Sequence, residues 1–387
     1  MVKLTWAQAA AWRLRQHHLD RRAAPGSMLP VASRLCGLHA QVMSSAELTV
    51  WARVEKLERG AVQRALWEER TLVKTWAMRG TLHLLPADEL PLWHALLSAS
   101  AKRRYLRPGP WQKYFGITIE ELERLTEAIG EALDGRLMTR EELVREVGRR
   151  TGSAAFGAKI AESSWGTILK PAAFTGRLCF GPSVGQRVRF TRPDTWLSAK
   201  PRAIDPDQAH ADIARRFLAG YGPATPRDLS RWSHSGVSIA RKWMEALGDE
   251  ATRVEVDGAP AWMLAVDARK ARRLGPLRSV RLLPGFDQYV VGASCHVEHL
   301  LPGDLRSPRV PAAGLDLAGA AGEWADTGSV AARAQTLARG GDRRAVCQSA
   351  GVGAARSGRR GRAAGGVSRG HACARMEGLS SGAVIAS

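Results

Sequence analysis

The sequence predicts an α+β, mainly helical fold in which each run of helices is closed by a β-hairpin. Apolar residues in Trp6–Gln16 and Ile119–Leu133 recur every three to four positions, which is typical of amphipathic helices. The pattern then changes to strand-like runs, as in 72–78 and 81–85, which flank the turn residues Arg79-Gly80. Helices followed by a basic hairpin are the order of a winged helix, so we expect tandem winged-helix units.

The first expected unit, residues 1–105, contains four helices and this hairpin. Pro25-Gly26 separates the first two helices, and Ser44 or Ser45 is the expected N-cap of the third. The expected helices cover residues 6–16, 29–38, 45–57 and 62–69. Alternating hairpin residues are predicted to be core, and the histidine after them structural: Trp76, Met78, Leu82 and His83.

The same order of elements recurs in two further expected units, residues 106–200 and 201–302. Thr139 and Glu142 form a capping-box start for a helix in the second unit. Thr225 caps a helix in the third unit, with Pro226 at its first position. The other expected elements are helices at 119–133, 165–175, 209–218 and 238–247 and strands at 177–181, 186–190, 252–256 and 261–264.

The C-terminal part of the chain divides into a strand-like run and a tail of different composition. Residues 280–292 are expected to open a C-terminal β region, with the role of Asp287 left open and these apolar residues in the core: Leu282, Leu283, Phe286 and Tyr289. Residues 303–387 have 12 arginines and no lysine. We interpret this tail as out-of-frame translation starting near Ser307-Pro308, which truncates the β region; the alternative is a natural, disordered basic tail.

The charge of the chain indicates a polyanionic partner. Its 57 Lys and Arg residues against 37 Asp and Glu give a formal net charge of +20, which attracts nucleic acid or an acidic membrane surface. No run of 18 apolar residues and no signal-peptide pattern occurs in the sequence. We therefore expect a cytoplasmic protein without a membrane partner, and three helix–helix–hairpin units on a basic chain point to duplex DNA.

The sequence predicts no metal site and no cofactor. Five widely spaced cysteines give neither a zinc ribbon nor a disulfide framework. Cys295, His296 and His299 are close together, but no fourth ligand accompanies them. The motifs G-x-G-x-x-G and Walker A are missing, which excludes the common nucleotide-binding classes.

The candidate chemistry lies in the stretch Cys36-Gly37-Leu38-His39-Ala40-Gln41. An imidazole and a carboxamide two residues apart can hold and activate one water, which the hydrolysis of a weak bond requires. The alternative interpretation is that His39 and Gln41 only solvate the end of a helix. The rest of the chain decides between these interpretations.

Four spaced motifs occur in order along the chain: Gly37-Leu38-His39-Ala40-Gln41, Thr75–His83, Tyr221–Thr225 and Val280–Gly292. Together they resemble the AlkZ-like family of bacterial DNA glycosylases, over about Trp6 to about Gly292. The resemblance implies three tandem winged helices and a C-terminal β region, curved around duplex DNA. It also implies excision of N7-alkylated purines, including bulky adducts or crosslinks in some members, without a metal.

The resemblance implies that His39 and Gln41 are the catalytic pair. The family commonly has Gln-apolar-Gln or Gln-apolar-Asp at these positions, so His39 marks a subtype. The expected enzyme is a monomeric, monofunctional and metal-independent DNA glycosylase. The alternative is a non-catalytic winged-helix DNA-binding protein, such as a transcriptional regulator.

An N7-alkylated purine is positively charged, so its glycosidic bond is already weak. The enzyme must stabilise an oxocarbenium-like sugar and place a water, whose proton His39, with an ordinary pKa near 6.5, is expected to accept. Affinity is expected to come from phosphate contacts rather than base edges. The predicted DNA-binding residues are Arg34, Lys74, Arg79, Arg187 and Arg189; the last two share one face of a hairpin strand.

Overall fold

Helices and short strands alternate along the chain. The computed structural model of the protein describes residues 1–198, 204–277, 280–292, 296–300 and 382–386. The N-terminal elements are β1 (Val2–Leu4), α1 (Trp6–Gln16), α2 (Met28–Arg34), β2 (Leu38–His39), α3 (Met43–Trp51), α4 (Ala61–Trp67), β3 (Leu72–Trp76), β4 (Leu82–Pro86) and α5 (Leu90–Arg104).

The sheet of the first unit has the strand order β2-β4-β3, with both pairs antiparallel. His39 of β2 lies opposite His83 of β4. Between β3 and β4 the chain turns through Met78–Gly80, where Arg79 adopts a left-handed φ of 58°. The predicted hairpin is therefore confirmed, and Trp76, Met78 and His83 are buried.

Three helices of the first unit differ from the expectation. α2 ends at Arg34 rather than at Leu38, which lies in β2. α3 begins at Met43 after Val42, which makes no side-chain cap, so the predicted Ser44 or Ser45 cap is wrong. The helix ends at Trp51 rather than near Leu57, because the chain then turns inward and buries Arg53 completely. The 15-residue helix α5 was not predicted; its apolar side chains pack in a core that extends into the second and third units.

The second unit repeats the arrangement, with the sheet order β5-β7-β6. Its elements are α6 (Pro110–Phe115), α7 (Ile119–Ala132), β5 (Met138–Thr139), α8 (Arg140–Thr151), α9 (Ala154–Glu162), a 3-10 segment (Ser164–Leu169), α10 (Lys170–Phe174), β6 (Cys179–Val184), β7 (Arg187–Thr191) and α11 (Pro193–Trp196). The helix predicted at 165–175 is divided, since Pro171 fits only the first turn of an α-helix and α10 begins beside it.

The third unit completes its sheet with the chain's N-terminus. Its elements are α12 (Pro206–Tyr221), α13 (Pro226–Ser233), α14 (Val237–Glu245), β8 (Ala251–Val256), β9 (Ala259–Leu264) and α15 (Ala265–Arg272). The sheet order is β1-β8-β9, with β1 parallel to β8. Ala224 bridges Trp262 of β9, in the position that β2 and β5 hold in the other units.

The C-terminal run 280–292 is a strand only in its first half. The remaining elements are β10 (Val280–Pro284), α16 (Gln288–Gly292), α17 (Val297–Leu300) and β11 (Gly382–Ala386), which pairs antiparallel with β10. Pro284-Gly285 ends the strand, and Phe286 then adopts a left-handed φ of 63°. Leu283 and Tyr289 are buried as predicted, but Leu282 is 71% exposed and Phe286 39% exposed. The expectations for 303–387 otherwise lie outside the described residues.

Candidate active site

His39 is the last residue of the edge strand β2, and Gln41 follows it two residues later. Ala40 between them donates its backbone N–H to the carbonyl of Leu82 at 2.7 Å, so the extended pairing with β4 continues one residue past the strand. Ala40 is fully buried in the core of the first unit. Because side chains alternate along extended backbone, we expect the imidazole and the carboxamide to point to the face opposite Ala40.

The imidazole of His39 lies between two other rings. Phe286 is stacked on it, with ring centroids 5.1 Å apart and planes at 12°. His83 meets it edge-on at 5.2 Å. The Nδ1–H of His83 donates to the carbonyl of Thr81 at 3.0 Å, so this histidine has the structural role that the sequence suggested.

Burial sets the protonation state of His39. Only 7% of the residue is exposed, and its Nδ1 has no hydrogen-bond partner among the described residues. Burial, and then the positive charge of Arg79, lower the pKa of His39 from 6.5 to about 4. The imidazole is therefore neutral at pH 7 and can accept a hydrogen bond, but it is a weaker base than the sequence analysis assumed.

Gln41 completes the polar pair. It is half-buried, and within the described part of the chain its side chain makes no hydrogen bond to the protein. Its carboxamide oxygen and nitrogen are thus both available to a ligand or a water. An imidazole and a carboxamide with free polar atoms on one face can hold a water between them.

The segment that contains Phe286 and Asp287, distant in sequence, packs against the first unit. Asp287 is fully buried and receives two hydrogen bonds of 2.7 Å from the Arg53 guanidinium, while the hydroxyl of Thr49 donates to the same carboxylate at 3.3 Å. Sequence reasoning left Asp287 open and missed Arg53 and the stacking role of Phe286. In the sequence, only the unusual run 280–292 indicated that this segment was important.

Comparison with known proteins finds related DNA glycosylases. The model of the DNA glycosylase AlkZ-like family matches residues 32–356. The interstrand DNA cross-link repair glycosylase of Streptomyces sahachiroi is 37% identical over 317 residues, which cover 81% of this chain and 84% of that protein. The solved structure of Streptomyces sahachiroi DNA glycosylase AlkZ superposes with a TM-score of 0.69 at 37% identity, covering 75% of this chain and 78% of that one.

The chain belongs to the AlkZ-like family of DNA glycosylases. The resemblance that the four motifs indicated is therefore confirmed, as are the α+β fold and the assignment to DNA repair. The family match extends beyond residue 303 to residue 356, into the tail whose composition differs from the rest.

The basic residues that the sequence assigned to DNA lie in three separate places. Arg34 is exposed and lines a cleft of about 430 Å³, together with Arg15, Gln16, His18, Asp20, Arg21 and Arg22. Arg187 is exposed on β7, and the half-buried Arg189 donates its Nε–H to the carbonyl of Pro182 at 2.7 Å. This first group and the β7 pair are accessible to a polyanion.

Lys74 and Arg79 instead face the protein. The ammonium of Lys74 lies 5.5 Å from the ring centre of Phe180, and burial lowers its pKa. Arg79 donates from Nη1 to the carbonyl of Trp232 at 3.1 Å, and burial lowers its pKa as well. This contact joins the first unit to the third, and the positive charge of Arg79 lowers the pKa of His39.

The described residues contain no group of three or more His, Cys, Asp or Glu side chains that could hold a metal ion. No helix among them is both long enough and apolar enough to cross a membrane. His296, from the weak cysteine–histidine cluster of the sequence, lies 3.1 Å from the carboxylate of Asp228.

Proposed function

We propose that the protein hydrolyses the N-glycosidic bond of N7-alkylated purines in duplex DNA, including bulky adducts or crosslinks. The observation that carries this proposal is the buried His39, neutral at pH 7, at the end of β2 with Gln41 two residues after it. The name of the 37% identical relative, an interstrand DNA cross-link repair glycosylase, supports the substrate class. We propose duplex DNA as the partner of a monomer and assign no cofactor.

The neutral imidazole and the carboxamide fit a reaction in which the leaving base is already cationic. Such a base needs no protonation, so the protein must orient a water and stabilise positive charge on the sugar. His39 accepts a hydrogen bond from that water, and the carboxamide oxygen of Gln41 accepts a second. Because the pKa of His39 is about 4, the water passes its proton to the imidazole only after the glycosidic bond is largely broken, and the imidazole then releases that proton to solvent.

Water is the attacking nucleophile in this scheme, which makes the enzyme monofunctional, and no step passes through a metal. We further propose that the three helix–hairpin units are winged helices that curve around the duplex. The first follows the order helix, short strand, two helices, hairpin. The second has a third helix before its hairpin, and in the third an isolated bridge at Ala224 takes the place of the short strand beside the last strand. The exposed Arg34 and Arg187, with Arg189, are the proposed phosphate ligands.

The experiment that tests this function is a base-release assay with the full chain. Duplex DNA carrying N7-methylguanine, and a second duplex carrying a bulkier N7 adduct, are each incubated with excess protein, and the free base is quantified. We expect first-order release of the modified base and none of unmodified guanine. Tight binding of both duplexes without release would contradict the proposal and favour a non-catalytic winged-helix DNA-binding protein.

A further inference from the structure

The residues around Phe286 are held against the first unit by two sets of hydrogen bonds. Asp287 accepts both bonds of the Arg53 guanidinium and the Thr49 hydroxyl, and Arg53 and Asp287 are both 0% exposed. On its other side, the carboxamide of Gln288 donates to the carbonyl of Gly37 at 2.5 Å. Gly37 directly precedes β2, so this contact fixes the segment to the strand that carries His39.

Phe286 itself is not explained by core packing. Its φ of 63° lies in the left-handed region, which a bulky side chain rarely adopts. The residue is also 39% exposed, whereas Leu283 and Tyr289 on either side are buried. A strained backbone that holds a partly exposed aromatic ring is most often found where the geometry serves a site. The ring of Phe286 lies nearly parallel to that of His39, at 12°.

We propose that Phe286 is a positioning residue for His39 and that the Arg53–Asp287 pair is the anchor that holds it there. This inference rests on the proposed function. The stacked ring covers one face of the imidazole while His83 meets the ring edge-on, so the two contacts restrict its rotation. The nitrogen atoms of His39 are then directed before any substrate binds, which lowers the cost of orienting the water.

Phe286 also excludes water from His39. The charged and titratable groups that face the imidazole are Arg79, at the hairpin turn, and His83, on β4. Both remain when Phe286 is shortened, but the face that it covers becomes hydrated. Hydration stabilises the protonated imidazole, so the pKa of His39 rises from about 4 toward 6.5 in a variant that lacks the ring.

The test combines an NMR titration of the His39 ring with single-turnover base release. We compare the wild-type chain with Phe286→Ala, with Phe286→Tyr, which keeps the stacked ring, and with Tyr114→Ala, which removes an 81% exposed ring from the second unit. We expect Phe286→Ala to raise the pKa of His39 by at least one unit and to slow base release about 10-fold. Phe286→Tyr and Tyr114→Ala are expected to leave both quantities close to wild type.

The anchor is tested with the double variant Arg53→Met, Asp287→Leu. Removing one partner would leave a buried charge and unfold the chain, whereas replacing both with apolar residues of similar volume keeps such sites folded. We expect the folded double variant to show the same rise in the pKa of His39 and the same slower release as Phe286→Ala.

Three outcomes distinguish a failure of this inference from a failure of the proposed function. If Phe286→Ala changes neither the pKa of His39 nor the rate, Phe286 only packs and the inference is wrong. If the rate falls while the pKa stays at about 4 and Phe286→Tyr is equally slow, Phe286 acts elsewhere than on His39, which also overturns it. If the pKa rises as expected but the wild-type chain releases no base, the positioning of His39 stands and the proposed function fails.

Discussion

The first and second units share one architecture but use the junction between their first strand and the next helix in different ways. In the second unit Thr139 ends β5 and caps α8: its hydroxyl accepts the N–H of Glu142, whose carboxylate accepts the N–H of Thr139. Thr225 and Asp228 form the same capping box in the third unit. In the first unit His39 ends β2 instead, and α3 starts only at Met43, without a side-chain cap.

This difference shows how a repeated unit acquires a site. A capping threonine is worth about 1 kcal/mol to its helix, and the first unit does without it. Ala40, Gln41 and Val42 lie between β2 and α3, and neither His39 nor Gln41 caps the helix with its side chain. Functional sites commonly give up local stability in this way, and neighbouring elements compensate. Here the segment around Phe286 packs over the site.

The largest effect that sharpens the comparison is expected at Gln41. Gln41→Ala removes an acceptor for the water and should lower base release by about 10² or more, the typical contribution of a positioned polar group, with little change in melting temperature. Single-turnover rates at saturating protein measure this. The neighbouring Val42→Ala, at a position 44% exposed, is the matched control and should keep the wild-type rate. Equal rates for the two variants would mean that Gln41 only solvates the helix end.

Acid should destabilise the first unit through His39. In the folded chain its pKa is about 4, against 6.5 when unfolded, so both states are neutral and stability is complete above pH 6.5. As the pH falls from 6.5 to 4, only the unfolded state gains a proton, and the free energy of unfolding falls by about 3 kcal/mol. Urea unfolding at several pH values measures this. His39→Gln lacks the titrating ring, so its free energy of unfolding should fall by about 3 kcal/mol less over the same pH range. The same pH dependence in both proteins would contradict the assigned protonation state.

Loss of a cap should affect stability but not chemistry. Thr225→Ala in the third unit removes one half of the capping box and should reduce the free energy of unfolding by about 1 kcal/mol. Thr225→Ser keeps the hydroxyl and serves as the control. Base release at 25 °C should stay at the wild-type rate in both. A lower rate with unchanged stability would place Thr225 in the DNA interface rather than in a cap.

The smallest effect is expected for single phosphate contacts. Arg34→Ala should weaken binding to undamaged duplex DNA several-fold and reduce the slope of log affinity against log salt by about 0.9, since one contact is lost. Fluorescence anisotropy at several salt concentrations gives both values. Arg59→Ala, at an exposed position outside the cleft that Arg34 lines, should leave the slope unchanged. If both variants lose the same slope, binding depends on overall charge and not on this cleft.

Local signals in the sequence predicted most of the repeating elements. The capping boxes at Thr139 and Thr225, the turn at Arg79-Gly80 and the strands predicted at 252–256 and 261–264 depend on neighbouring residues, so these elements were correctly predicted. α1 matches its predicted bounds for the same reason. Asp257 and Gly258 both adopt positive φ, as a tight hairpin turn requires.

What the sequence could not supply depends on contacts between distant residues. Arg53 and Asp287 are 234 positions apart, and neither shows by its neighbours that it is completely buried. The lowered pKa of His39 likewise comes from burial and from Arg79, which only the folded chain brings near it. The run 280–292 was taken for one strand because its apolar composition conceals the left-handed turn at Phe286.

The central claim is that the first unit carries chemistry at the position where the second carries a helix cap. The most direct measurement compares His39→Ala with Thr139→Ala for single-turnover release of N7-methylguanine and for free energy of unfolding at pH 7. We predict that the rate separates the two variants: His39→Ala releases base at least about 10² times more slowly, whereas Thr139→Ala loses about 1 kcal/mol of stability at an unchanged rate. Wild-type release by His39→Ala, or an equal loss of rate in both variants, would contradict the account.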